Sequence, residues 1–522
     1  MTIKRLFLFF VLTPIAVVLS VSSLFGSLQE PQFQSRLELY QTNIALQAQA
    51  WEPETTNDEN LSALKLGILG ENPLESATKQ YQQARESVAT NLDKAKNQLA
   101  ASKSLPLPPK PLPKEPTETQ VSTQEKQKKL QQSLQELQKL QAELDLSLGI
   151  LQAQQGNTDT AIKTWEQVQQ RQNVKPELRE TAAVLSGIWN DPPRLLPNSE
   201  ALIDENLDGW FRFTALTNLY QLQQRSTALS TIQAAQQEAA TTALVKLTVI
   251  ATIPSLTALI GLILLVFLIG QRLVKGKASL LAQNADLPWS TPWDVETILQ
   301  VFVVGFFFMG QLFVPLLLSV LPIERPIGNV RFQALSVLIS YVMVASGALF
   351  VLYLSLKPFF PLPENWFRFR VREWWILWGL GGYCAALPIV VVVSLINQQL
   401  WQGQGGSNPL LQLALESQDT AALGMFFFTA AIAAPIFEEL LFRGFLLPSL
   451  SRYVPVWGAI FLSSLLFAIA HLSFSEILPL TALGIVLGVV YTRSRNLLAP
   501  MLLHSLWNSG TLLSLFILGS GN

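Results

Sequence analysis

The chain has few reactive side chains. Its 522 residues include one cysteine, Cys384, and two histidines, His471 and His504. A lone cysteine cannot close an intrachain disulfide, and its apolar surroundings read as a small core position rather than a nucleophile. Charge is scarce as well. Only 14% of residues are Asp, Glu, Lys or Arg, and the formal net charge is −1. That balance gives no sign of a nucleic-acid partner. Hydrophobic residues make up 49%. So few charges among so many apolar residues argue for an integral membrane protein, and the length leaves room for a soluble part.

Residues 1–27 read as a membrane anchor. Lys4 and Arg5 precede an apolar run from Leu6 to about Phe25. They should hold the N-terminus on the cytoplasmic side. Small residues from Ser20 to Ser27 would also suit a cleaved signal peptide, but the run is long for one.

Residues 28–243 are soluble in composition and read as an α-helical domain. Leu148-Gly149-Ile150-Leu151, then Ala161 and Trp165, resemble one tetratricopeptide unit, with Gly156-Asn157 as its turn. Leu66-Gly67-Ile68-Leu69, then Ala77 and Tyr81, offer a related pattern, and a third helical pair is expected around Trp210 to Ala240. Such pairs present grooves to protein partners. The segment 102–118 carries six prolines between Ser102 and Pro116 and reads as a stiff extended linker, not a helix. Beyond it, Leu130, Leu137, Leu144 and Leu151 recur every seven, which predicts a long helix from about Gln124.

The membrane domain should start near Leu244. Residues 244–297 read as one membrane helix and a cytoplasmic loop, and residues 298–522 as the main helix bundle. Apolar runs at roughly 244–270, 298–322, 332–356, 373–396, 421–450, 456–472, 476–491 and 497–518 give about eight spans after the anchor. The fold class is therefore all-α, a polytopic membrane helix bundle with an added extramembrane helical domain. Basic residues fall on alternate loops: near Arg272, Lys275 and Lys277, near Lys357, Arg368, Arg370 and Arg372, near Arg452, and near Arg493 and Arg495. This predicts a cytoplasmic N-terminus with residues 28–243 on the opposite side.

The run Ala421 to Leu450 contains Glu438, Glu439 and Arg443. A charge at mid-bilayer costs roughly 2.5–3.5 kcal/mol on insertion scales, so such a cluster is paired, wetted or used. On a helix Glu439 and Arg443 share a face and can pair. Glu438 points about 100° away and needs a partner from elsewhere. Both histidines lie downstream in apolar segments, His471 in Phe467-x3-His471 and His504 in His504-x3-Asn508. A lone buried histidine is usually a core residue. Two of them, with a His-x3-Asn pair and a Glu-Glu-x3-Arg cluster, point to a functional site.

Glu-Glu-x3-Arg, Phe-x3-His and His-x3-Asn in this order, over roughly Leu423 to Leu518, resemble the three motifs of the CPBP (Abi) family. That family comprises CAAX-type prenyl endopeptidases and bacteriocin-processing or immunity proteins. The resemblance implies an intramembrane endopeptidase acting on a protein or peptide in or near the bilayer. Glu438 would activate a water and His471 would help hold it. His504 and Asn508 would bind the oxyanion, with Glu439 and Arg443 in support. A carboxylate in low dielectric suits a general base. Asn508 could instead be a helix–helix hydrogen bond. Glu438, His471 and His504 are also candidate ligands for a divalent metal such as zinc, and the sequence leaves open whether one is bound. The resemblance does not extend to residues 28–243. Two other readings stand beside it: a catalytically silent membrane scaffold recruiting partners through 28–243, and a transporter with charges on its path.

Depth sets one further expectation. If 456–472 starts at the inner face, His471 lies near its outer end. Glu438 must then sit well inside the bilayer, in a helix running on past Arg443, or else Ser473 to Pro479 dips back as a broken segment. Either route predicts a wet polar chamber within the membrane.

Overall fold

The computed structural model describes residues 3–28, 33–52, 65–104, 118–320, 329–401, 406 and 419–519. Among these the chain is helical and without strands. It divides into two compact units, residues 35–249 and residues 1–34 with 250–521.

The membrane unit opens with α1 (Arg5–Ser27). The other unit follows with α2 (Phe33–Gln49), α3 (Pro73–Ser104), α4 (Glu118–Gln154), α5 (Thr158–Gln170), α6 (Pro176–Trp189), α7 (Ser199–Asn206) and α8 (Gly209–Leu222). Its core is built where small residues let helices close up. A Cβ at Gly149 would lie 2.3 Å from Nε1 of Trp165, so only glycine lets α4 lie against that ring. The indole N–H donates to the Leu146 carbonyl at 3.1 Å. Gly156, at φ +82°, makes the turn into α5. The earlier Leu-Gly segment is not a copy of this. Nothing lies within 4 Å of a Cβ at Gly67, and Tyr81 packs edge-on against Phe211 at 5.2 Å instead. Leu144 and Leu151 are buried, with Leu134, Leu137 and Leu140 packed against the same core, as the seven-residue spacing predicts. Tyr220 and Ala228 join that core too.

One expectation needs correction. Ser102 to Ser104 belong to α3 rather than to an extended linker, and residues 105–117 lie outside the described residues. The next helix, α9, runs from Ser226 to Lys275, and the two units divide within it between residues 249 and 250, close to the change of composition at Leu244.

The bundle continues with α10 (Val295–Val320), α11 (Val330–Leu356), α12 (Trp375–Trp401), α13 (Thr420–Leu450), α14 (Val456–Ile469), α15 (Phe474–Ser494) and α16 (Leu498–Gly519). Among the described residues eight helices, α1, α9–α13, α15 and α16, are long and apolar enough to cross a membrane, which makes this a multi-pass integral membrane protein. The expected span at 456–472 is shorter than that. Helix α14 has 14 residues, about 21 Å, against a hydrocarbon core of about 30 Å.

Most loops that carry arginines come together at one end of the bundle. Arg5 pairs with Asp294 at 3.1 Å and with Glu296. Trp289 N–H donates to Ser451 Oγ at 3.1 Å, and Leu497 N–H donates to the Arg368 carbonyl at 3.0 Å. Asn284 donates to the Arg493 carbonyl at 3.1 Å. At the other end Arg331 pairs with Asp419, Asn397 donates to the Ser475 carbonyl at 2.6 Å, and Phe474 N–H donates to Ser27 Oγ at 3.1 Å.

Candidate active site

Pro435 shapes the helix that carries the glutamates. It has no N–H, so it leaves carbonyls one turn earlier without their helical partner. The backbone takes π-helical turns over Phe428–Ala433, with the Ala434 N–H bonded to the Thr429 carbonyl. Helix α16 supplies what Pro435 cannot. Asn508 Nδ2 donates to the Ala430 carbonyl at 2.7 Å, and Ser505 Oγ donates to the Ala431 carbonyl at 2.5 Å. Asn508 thus makes the helix–helix bond that its bland reading expects, and it also lines the cavity described below. Helix α13 runs on to Leu450, which places Glu438 in its interior.

From there the two glutamates diverge. Glu439 is fully buried and bonded to Arg443 Nη1 at 2.8 Å. Arg443, also fully buried, donates from Nη2 to the Gly484 carbonyl at 3.2 Å and lies 4.5 Å over the Phe467 ring. That carbonyl is in reach because α14 and α15 nearly touch: a Cβ at Gly484 would sit 2.8 Å from Ser464 Cβ. Glu439 Oε1 meets a second partner, His504 Nδ1, at 2.9 Å. A carboxylate only accepts, so Nδ1 carries the proton and Nε2 is the imidazole nitrogen left for the cavity.

Glu438 finds its partners on other helices. Tyr341 Oη of α11 donates to Glu438 Oε1 at 3.2 Å. His504 Nε2 lies 3.9 Å from Glu438 Oε2, beyond a direct hydrogen bond and close enough for one water to touch both.

His471 follows the end of α14. Its backbone N–H turns to the Ala468 carbonyl at 3.1 Å, and its ring Nδ1 bonds the Phe467 carbonyl at 2.9 Å. Leu472, at φ +55°, then reverses the chain. A leucine in that region is strained and persists only where its surroundings impose it. The reversal comes before α15 begins at Phe474 with Pro479 inside it, so Ser473 to Pro479 is not a broken segment. Phe467 joins the two histidines, edge-on to His471 at 5.0 Å and to His504 at 5.7 Å.

Glu438, His471, His504, Asn508 and Tyr341 line one cavity of about 1140 Å³, otherwise mostly apolar. Glu439 and Arg443 stand behind it. The sequence reading had no means of finding Tyr341, a lone hydroxyl in an apolar helix with no spacing to mark it. It also missed Ser505.

Nδ1 of each histidine is bonded, to a carbonyl for His471 and to a carboxylate for His504, which leaves Nε2 as the nitrogen open to a water or an ion. Among the described residues no three His, Cys, Asp or Glu side chains are grouped to hold an ion.

No solved structure matches this chain. It is 28% identical over 143 residues to the membrane-embedded CAAX protease MroQ of Staphylococcus aureus (strain USA300), covering 26% of this chain and 57% of that protein. It is 26% identical over 134 residues to YdiL of Bacillus subtilis (strain 168), named as a candidate membrane peptidase, covering 26% of this chain and 54% of YdiL. The chain therefore spans little more than half the length of these relatives. Residues 420–510, which hold both glutamates and both histidines, match the family described as Type II CAAX prenyl endopeptidase Rce1-like, so the C-terminal helices carry an Rce1-like domain.

Proposed function

We propose that this chain is an intramembrane endopeptidase of glutamate type. One observation carries the reading: the Glu438 carboxylate faces a largely apolar cavity, held by Tyr341 and 3.9 Å from His504 Nε2. Glu438 takes a proton from a water that His471 helps to hold, and the hydroxide attacks the scissile carbonyl. The oxyanion accepts a hydrogen bond from Nε2–H of His504, as an imidazolium held through Nδ1–H by Glu439. The second amide hydrogen of Asn508 is the other donor. Such preset donors are often the largest catalytic term. The tetrahedral species collapses as Glu438 passes its proton to the leaving amine, giving a carboxylic acid and an amine. Tyr341 holds Glu438 in place.

The substrate is a protein or peptide at the membrane. The clustering of arginine-bearing loops at one end supports a cytoplasmic location for that end and for the N-terminus, with residues 28–243 on the opposite side. We assign the helical unit to holding a protein partner.

The test compares Glu438→Ala and His504→Ala with the parent. Both should insert normally and lose cleavage, seen as missing new termini in the membrane proteome. Cleavage at the parental rate in Glu438→Ala would remove this reading and favour the scaffold, whose partners a pull-down through residues 28–243 would recover.

A further inference from the structure

Helix α10 carries a polar side chain that the proposed reaction leaves unused. Gln311 stands in the apolar run of that helix and lines the cavity of Glu438 and His504. The cavity wall holds two side-chain amides, Gln311 and Asn508. Asn508 is committed to the Ala430 carbonyl. Among the described residues Gln311 has no hydrogen-bond partner. An amide left unbonded in hydrocarbon is costly, so something outside the chain satisfies it. Water does so while the cavity is empty.

Depth places this amide beside the reacting groups. Phe306 stacks at 6.3 Å on Phe437, the residue before Glu438. Gln311 lies five residues beyond Phe306, about 7 Å along the helix and away from the arginine-bearing loops. The contact with α11 gives the same level. A Cβ at Gly310 would lie 3.6 Å from Val344 Cγ1, and Val344 is one turn from Tyr341, which holds Glu438.

We propose that Gln311 binds the substrate's backbone about two residues from the scissile bond. This rests on the endopeptidase reading and adds a requirement on the substrate. A membrane helix must unwind to be cut, and each N–H and C=O it frees needs a partner in the bilayer. A carboxamide carries the same acceptor and donors as a peptide group, so Gln311 pairs with backbone whatever the side chain attached to it. An offset of about 7 Å from Glu438 corresponds to about two residues of extended chain. Selection at this point is therefore by backbone: the chain must unwind there and keep a free N–H, which excludes proline.

The test uses the full chain in nanodiscs and a labelled, leucine-rich, lysine-flanked peptide with a central Gly-Ser-Gly, which spans the bilayer and unwinds at its middle. A second peptide carries sarcosine in place of both glycines and so lacks their N–H groups. The parent should bind the glycine peptide about five- to tenfold more tightly than the sarcosine peptide. Gln311→Leu should bind the two alike. Comparing both proteins on both peptides cancels what the methyl groups do to the peptide itself. The melting point of Gln311→Leu should match or exceed the parent's, because leucine suits lipid better than an amide. The same preference in both proteins, no binding to the parent, or a lowered melting point in Gln311→Leu overturns the proposal. The endopeptidase reading is tested apart, by the termini lost in Glu438→Ala. If those termini persist while the peptide preference holds, backbone binding stands and hydrolysis falls.

Discussion

His504 and Arg443 share one oxygen: Oε1 of Glu439 lies 2.9 Å from His504 Nδ1 and 2.8 Å from Arg443 Nη1. Through that atom the arginine, which never reaches the cavity, sets the orientation of an imidazole that does.

Arg443→Ala should therefore damage folding before chemistry. It leaves a fully buried carboxylate without its cation, a loss of about 3–5 kcal/mol. Thermal unfolding in detergent should show a large drop. A melting point within a degree or two of the parent would mean that Glu439 is neutral in the folded protein.

Tyr341→Phe removes a single hydroxyl. The hydrogen bond it makes is to a charged group, worth about 1.5–3 kcal/mol. If Tyr341 positions Glu438, kcat should fall about ten- to a hundredfold with KM little changed and the melting point preserved. A change in KM alone would assign Tyr341 to substrate binding.

Chelation should leave cleavage intact. The described residues assemble no three-ligand set of His, Cys, Asp or Glu. Incubation with o-phenanthroline and elemental analysis of purified protein check this. Loss of activity restored by zinc would require the cavity to rearrange around an ion.

Gly149→Ala tests the helical unit separately. The new methyl would meet the Trp165 indole at 2.3 Å and push it from the Leu146 carbonyl. Overpacking of this kind costs about 1–3 kcal/mol. Hydrogen exchange in the full chain should speed up across α4 and α5 and stay unchanged in α13–α16.

How much of this the sequence disclosed depends on how local each signal is. The Glu439–Arg443 pair was legible because its members sit four apart on one helix. The two histidines were legible because they are rare and lie in apolar runs. Tyr341 was not, since the bond that gives it meaning crosses 97 residues. Nor was the tie between α16 and the carbonyls ahead of Pro435, although the proline itself stood in plain view. The shortness of α14 was hidden because Leu472 turns the chain in a conformation that a glycine or asparagine would have announced.

The π-helical turns over Phe428–Ala433 hold one residue more than an α-helix of the same rise would need. Regularising the ladder there without removing that residue would turn everything beyond it by about 100°. Glu438 would swing off the chamber wall and Glu439 would lose its hold on His504. Removing one residue instead lets the ordinary pitch span the same rise and keeps both side chains on their faces, so a one-residue deletion is the edit this segment should tolerate.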